Sequence, residues 1–521
     1  MVLSIDFQAG WPRGVAAVAV GVTRAGALGR IGTIRPSLQT AMQRGRHLFP
    51  RDARPGALVG PLAVLGPTGE AIYLLLLPGG SGWSEGAAQR LGDGALRHLA
   101  AAGHETQGIW LGEGGSAGGA RLAEITLGAR LAAHRHDLRT RARPGDPARV
   151  RRLVLAGPAS ASARTAWQPF AAIAEGVEFA RELVNEPGNR LYPASFAARL
   201  KRRLAPLGIA VEILSPPALR QLGMGALLAV GSGSANQPRL VVLRWPGRGA
   251  GRKAVPVALV GKGVTFDTGG ISIKPASKME EMKGDMAGAA AVVGTLLVLA
   301  RQRAANPAVG VLPLVENMVS GTAYRPGDVL TSFSGQTIEV VDTDAEGRLI
   351  LADALAYAVR RFKPRAVVDL ATLTYSVIAA LGHLYAGIFS NNETLAAQLI
   401  GAGREAGERL WRLPLHPDYD EHLKSEIADI RQCAPNDESA DAVHAAQFMQ
   451  HFVGDAPWAH LDIAGVEFMR GAGRSGGSGF AVRLLTQWLT GAQAGRGSRR
   501  QPRRANGSQR KSAQGRRRNP R

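Results

Sequence analysis

The sequence predicts an α/β protein in two parts: a smaller N-terminal α/β domain, and a larger C-terminal domain with a mainly parallel sheet and helices on both faces. Three observations predict it. Strand-like runs alternate with stretches of helical apolar spacing over most of the chain, the order that yields parallel strands covered by helices. Hydrophobic residues make up 45% of the 521 residues and aromatics only 5%, so large cores of small aliphatic side chains are available. The length admits about two to four domains, and the Ser/Ala-rich stretch Pro158 to Ala166 reads as a linker between the first and the rest.

In residues 1–165, Val15–Val22, Leu62–Leu65, Ala71–Leu77 and Arg151–Leu155 read as strands, and Gly86–Ala101 and Ala117–His134 as helices. His134 and His136 stand among arginines that would repel a cation, so they read as surface histidines. A linker helix is expected within 166–190: Trp167 to Val184 carries apolar residues at helical spacing and stops at Asn185-Glu186-Pro187-Gly188. In 191–490 the alternation continues with strands at Ala210–Leu214, Arg239–Trp245, Val255–Val260, Val309–Val315, Thr337–Val341, Ala366–Leu370 and Tyr385–Phe389. Helices are expected at Ala194–Leu204, Pro217–Leu222, Met286–Arg301, Leu349–Phe362, Glu393–Gly407, Ala440–Phe452 and Phe480–Leu489.

Composition excludes some classes. No apolar run approaches the ~20 residues of a membrane span, and Asp6 argues against a secretory leader. The single cysteine, Cys433, rules out an intramolecular disulfide or a multi-cysteine zinc site and fits a cytoplasmic protein. Net charge is +22, and half of it lies in residues 491–521, which hold eleven Arg and Lys and no acid. That tail has no aliphatic residue larger than alanine, so it is expected to be disordered. It suits nonspecific binding of nucleic acid by counterion release, or serves only to keep the chain soluble.

Two segments carry chemistry. Val340 to Ile350 reads Val-Val-Asp-Thr-Asp-Ala-Glu-Gly-Arg-Leu-Ile. It lies between a strand and a helix, and in an extended chain Asp344, Glu346 and Arg348 would share one face. The bland alternative is an acidic turn that caps the helix. Upstream, Lys262, Asp267, Lys274 and Asp285 stand among glycines just past a strand end, where backbone and side chains can approach a shared centre closely. The bland alternative there is a glycine-rich loop with solvated charges. Together Asp267, Asp285, Asp344 and Glu346 can hold two divalent cations, with Lys262 as a neutral nitrogen ligand, and such oxygen-rich ligands suit Zn²⁺ or Mn²⁺. Two metals a few ångströms apart fit hydrolysis, leaving Lys274 to stabilise an oxyanion and Arg348 to hold an anion that shuttles a proton.

These residues resemble the leucyl (cytosol) aminopeptidases, two-metal exopeptidases. The resemblance rests on Lys262 to Pro275, Met282-Lys283-Gly284-Asp285-Met286 and Thr343-Asp344-Ala345-Glu346-Gly347-Arg348. Leu183 to Pro187, Ala371 to Thr374 and His460 to Gly465 support it. It is strong from about 175 to 490, weak over 1–165, and absent from the tail. It implies a catalytic metallopeptidase domain that releases N-terminal residues from peptides. It also implies one metal on Lys262, Asp267, Asp285 and Glu346, and another on Asp267, Asp344 and Glu346. Lys274 and Arg348 become the catalytic pair, with a bicarbonate-like base on Arg348, and the assembly a hexamer. Asp342, Met282, Thr372 and Tyr375 fall where such enzymes line the pocket for the substrate's N-terminal side chain. The chain departs from the family pattern at Asp342, usually Asn, at Tyr375, usually Gly, and across Asn436 to Asp441, usually Gly-rich. Tyr375 and Asp342 are therefore expected to narrow that pocket and make it more acidic, unless Tyr375 points into the core and Asp342 caps a turn.

Overall fold

The computed structural model describes residues 3–497 apart from 23–39, 42–43, 45, 51, 79–85, 112–117, 142, 144, 250, 252–253, 435–439 and 471–475. Two large sheets organise it. The first comprises β1 (Ser4–Gln8), β2 (Ala17–Val22), β3 (Leu58–Val59), β4 (Ala71–Leu76), β5 (Thr106–Trp110) and β6 (Arg152–Ala156), in the order β1-β6-β5-β2-β4-β3. Every pairing is parallel except that of β3 with β4. Central β2, Ala-Val-Ala-Val-Gly-Val, is buried at all its positions, as a strand covered on both faces must be.

The second sheet is built from β7 (Ala210–Leu214), β8 (Arg239–Trp245), β9 (Val257–Gly261), β10 (Gly263–Asp267) and β11 (Ala308–Asn317). Short β12 (Val329–Thr331) and β13 (Thr337–Glu339) follow in the chain, then β14 (Val367–Ala371), β15 (Ala386–Ser390), β16 (Leu410–Arg412), β17 (Ile430–Arg431) and β18 (Trp458–Asp462). The order is β16-β15-β18-β14-β9-β11-β8-β7, with β10 paired to β11. The central strands β18, β14, β9 and β11 run parallel, so their carboxyl ends open on one edge, the usual place for a site in such sheets. Strands β12, β13 and β17 form a separate small sheet beside it.

The helix Ala287–Arg301 is apolar on all sides and almost wholly buried. Met279–Arg301 has the length and mean hydropathy (1.4) of a membrane span, but 89% of its apolar window is buried inside the protein. It passes the helix Ser160–Asn185 at a glycine pair. A Cβ on Gly294 would stand 2.6 Å from the Gly176 oxygen, and one on Gly176 equally close to the Gly294 oxygen. Only paired glycines permit that crossing.

Several sequence expectations need correction. The stretch Pro158 to Ala166 is not a linker, because the helix starts at Ser160 and runs unbroken to Asn185. Its serines and alanines are compatible with helix, and Ala163 packs into the N-terminal core. Leu62–Leu65 is not a strand; the edge strand is Leu58–Val59. Strand β1 was not foreseen, nor were β10, β12, β16, β17 and β18. Thr337–Glu339 belongs to the small sheet rather than the main one. The last helix continues to Gly497, so the predicted disordered tail does not begin at 491; residues 498–521 lie outside the described residues. His134 is mostly buried rather than on the surface, and burial, with Arg181 beside it, pushes its pKa down to about 4.

Candidate metal centre

Strand β9 ends at Gly261, and Lys262 follows it directly. The Lys262 backbone is held on both sides: its N–H donates to Leu370 O at 2.9 Å, and its carbonyl accepts from Ala289 N at 2.9 Å. Its side chain is buried at 3% exposure. The ammonium lies 2.9 Å from Asp285 Oδ1 and 2.8 Å from Glu346 Oε1, and donates to Thr372 O at 2.9 Å. Asp285 reaches this point from the end of the 3₁₀ segment Met279–Gly284, and Thr372 Oγ1 donates to its Oδ1 at 2.6 Å.

Asp267 ends β10, where a register shift against β11 between Val264 and Phe266 re-aims the strand end, as bulges do. Asp267 Oδ1 accepts from Gly269 N at 2.9 Å and Asn317 Nδ2 at 2.8 Å. Its other oxygen is 2.8 Å from Lys274 Nζ, and Lys274 also donates to Asp344. Asp267, Asp344 and Glu346 each offer an oxygen, all within 4.8 Å of one another.

Thr343 ties the two segments together. Its hydroxyl donates to Gly269 O at 2.7 Å and accepts from Ser272 N at 2.8 Å. Its carbonyl accepts from Tyr324 Oη at 2.7 Å and Asn317 Nδ2 at 2.9 Å. Gln432 supports the same loop: Oε1 accepts from Val341 N at 2.7 Å and Asp342 N at 3.2 Å, and Nε2 donates to Ala345 O at 3.1 Å. Sequence reasoning missed Thr343, Tyr324, Asn317 and Gln432 as supports. Asn317 alone had a legible signal, as a polar residue ending an apolar strand.

The electrostatics follow from burial. Asp344 is pushed up to about 7, first by desolvation and then by Asp267 and Glu346. Asp285 and Glu346 are raised for the same reasons. Burial disfavours the charge on Lys262 and Lys274, yet the carboxylates around them hold both above the ordinary lysine value. Four carboxylates thus face two ammonium groups. Among the described residues, Asp285 Oδ2 and both Glu346 oxygens are buried with no hydrogen bond; Glu346 Oε1 touches Lys262 without hydrogen-bond alignment. Buried anionic oxygens left without donors are costly, and divalent cations would fit them.

The expected extended run through residues 344–348 is not what forms. The helix Glu346–Phe362 begins at Glu346, so Glu346 and Arg348 belong to its first turn and diverge. Glu346 points to Lys262. Arg348, at 2% exposure, donates Nη1 to Gln432 O at 3.0 Å and Nη2 to Asp441 Oδ1 at 2.6 Å. Its Nε is buried with no partner among the described residues. Asp342 Oδ1 accepts from Asp344 N at 2.8 Å, so it does cap the turn. Tyr375 does not point into the core; it is 80% exposed, at the start of the helix Tyr375–Leu381. Met282 and Thr372 are half-buried beside the lysine–carboxylate cluster, with Met282 O accepting from Asp285 N at 3.3 Å.

The chain is similar to known proteins over most of its length. The sequence model described as "Cytosol aminopeptidase family, catalytic domain" matches residues 178–486. A "Probable cytosol aminopeptidase" of Nitrobacter winogradskyi is 51% identical over 368 residues, 70% of this chain and 73% of its own length. One from Brucella melitensis is 50% identical over 373 residues, 70% and 76% respectively. Among solved structures, the bottromycin maturation enzyme BotP in complex with Mn aligns with a TM-score of 0.78 and 34% identity, over 92% of this chain and 99% of that one.

Proposed function

The chain belongs to the cytosol aminopeptidase family, metal-dependent hydrolases that release N-terminal residues from peptides, and from that membership we propose how its residues divide the work. Lys262, Asp267, Asp285, Asp344 and Glu346 would hold two divalent cations, Zn²⁺ or Mn²⁺. One observation carries this reading: Glu346 Oε2, in a cluster with Asp267 and Asp344, and Asp285 Oδ2, joined to it through Lys262, are buried without donors. Bound there, the cations would polarise a peptide carbonyl and lower the pKa of a water.

The chain's own groups supply the rest. Thr372 orients Asp285 through its hydroxyl and Lys262 through its carbonyl. Lys274, at the mouth of the cluster with its side chain 20% exposed and paired with Asp267 and Asp344, would neutralise the carbonyl oxygen as charge develops on it. Arg348 is the proposed holder of the anion beside the reacting groups. Met282, Thr372, Asp342 and Tyr375 would border the substrate's N-terminal side chain, Tyr375 from the solvent side.

The assembly would be a hexamer in the cytoplasm, a reading supported by the family resemblance and checked by light scattering of the purified protein. The central experiment is metal analysis joined to leucine-amide hydrolysis, before and after chelation. Turnover should vanish with the metal and return with Zn²⁺ or Mn²⁺. Protein that holds no metal and shows no turnover would overturn the reading.

A further inference from the structure

Arg348 raises a question that its role as anion holder leaves open, namely which anion it holds. A small oxyanion such as bicarbonate binds a guanidinium best through two parallel N–H donors. Here Nη1 gives an N–H to the Gln432 carbonyl and Nη2 gives one to Asp441 Oδ1, at 2.6 Å. Those two bonds leave Nε and a second N–H on each Nη, but Arg348 is only 2% exposed. A bicarbonate on those donors would share one buried guanidinium with the Asp441 carboxylate and be repelled by it. The guanidinium that Asp441 already occupies therefore fits a bicarbonate poorly.

Asp441 is well placed to hold its position. It is the first residue of the helix Asp441–Gln450, where a carboxylate gains from the helix dipole. Ala442 N, one residue on, donates to Ser376 Oγ at 2.8 Å, which fixes the start of the helix against the neighbouring Tyr375–Leu381 helix. Arg348 is almost fully buried, whereas the Asp441 side chain is 47% exposed. The pair thus places a solvent-reachable carboxylate on a buried guanidinium. A tethered carboxylate acts at an effective concentration of millimolar or more, which an untethered anion must exceed to compete.

We propose that Asp441 is the resident anion of the Arg348 site, so that this enzyme works without bicarbonate. The proposal rests on the reading of Arg348 as an anion holder and goes beyond it in naming the anion. The test compares the metal-loaded wild-type protein with Asp441→Asn, Asp441→Glu and Arg348→Ala. Leucine-amide turnover is measured in carbon-dioxide-free buffer with and without millimolar bicarbonate, and binding of ¹³C-labelled bicarbonate is followed by NMR. Wild type should bind no bicarbonate and keep its rate on addition. Asp441→Asn should lose at least ~10-fold in rate, bind bicarbonate, and recover with it. Asp441→Glu should retain bicarbonate independence, and thermal melting of each variant separates these effects from misfolding. Wild-type protein that binds bicarbonate and is activated by it would overturn the proposal. So would an Asp441→Asn variant that stays folded with unchanged turnover and no bicarbonate binding. If Arg348→Ala itself leaves turnover intact, the underlying reading of Arg348 fails instead.

Discussion

Asp344→Asn should stabilise the metal-free protein at neutral pH while impairing metal binding. The carboxyl of Asp344 is raised from 3.8 to about 7 by burial and by Asp267 and Glu346, net of the attraction of Lys274. The sign follows from proton uptake. Below the unfolded value both states hold the proton and nothing is lost. As pH rises, the unfolded chain ionises while the folded one keeps its proton, so stability falls until the folded group also ionises near 7. At about 1.4 kcal/mol per pH unit, the full penalty above that point is about 4 kcal/mol. The side chain is 32% exposed, and solvent screening reduces the expected gain to about 1–2 kcal/mol. The amide cannot ionise, so the variant escapes this penalty. The assay is urea denaturation of chelated wild type and variant at pH 7 and pH 5. The variant should be the more stable at pH 7, and at pH 5 its advantage should shrink to about two-fifths. Added Zn²⁺ or Mn²⁺ should raise wild-type stability well above that of the variant. A chelated variant less stable than wild type at pH 7 would refute the reasoning, because the Lys274 ion pair would then outweigh carboxylate repulsion.

Gly347→Ala should weaken metal retention by about tenfold or more, as disturbed ligand support does, without the gain of about 1 kcal/mol that alanine usually gives in a helix. The new Cβ would stand 2.8 Å from Lys262 Nζ and Cε, and Lys262 is pinned by Asp285, Glu346 and Thr372; competition with a chromogenic chelator measures it. Asp353→Asn should lower stability by about 1–3 kcal/mol, read from urea midpoints. Asp353 is buried, pushed up to about 7, and gives one oxygen to Leu227 N and the other to Phe333 N, whereas an amide offers only one. Tyr375→Gly should change the relative turnover of leucine, glycine and arginine amides by about tenfold; an unchanged ranking removes Tyr375 from the specificity pocket.

The lysine–carboxylate cluster was legible because chemistry restricts such residues: carboxylates and lysines gathered with glycine past a strand end have few structural uses. The alternation of the larger sheet was legible for a similar reason, since strands buried on both faces, such as β9 and β11, read as unbroken apolar runs. Short or edge strands left no such trace. Leu58–Val59 and Ile430–Arg431 are two residues each, too short to show a period, and Ile430–Arg431 pairs with Ile338–Glu339 far back in the chain. The start of the helix at Glu346 was misread because Val340 to Ile350 was treated as extended, although the turn that Asp342 caps ends the strand early. Arg348 shows the deeper difficulty. Its direction depends on Gln432 and Asp441, more than eighty residues away, and no local spacing encodes that.

Gln432 and Asp441 therefore act on the site at two points. Gln432 uses its side chain to hold the backbone of Val341, Asp342 and Ala345, and its carbonyl to hold Arg348. Asp441 holds the other end of the same guanidinium. Asp344 and Glu346 lie on the stretch that Gln432 fastens, so carboxylate placement and the anion at Arg348 share one support. Repelling carboxylates need such a support, since a loop free to relax would separate them and lower the local negative charge on which cation affinity depends.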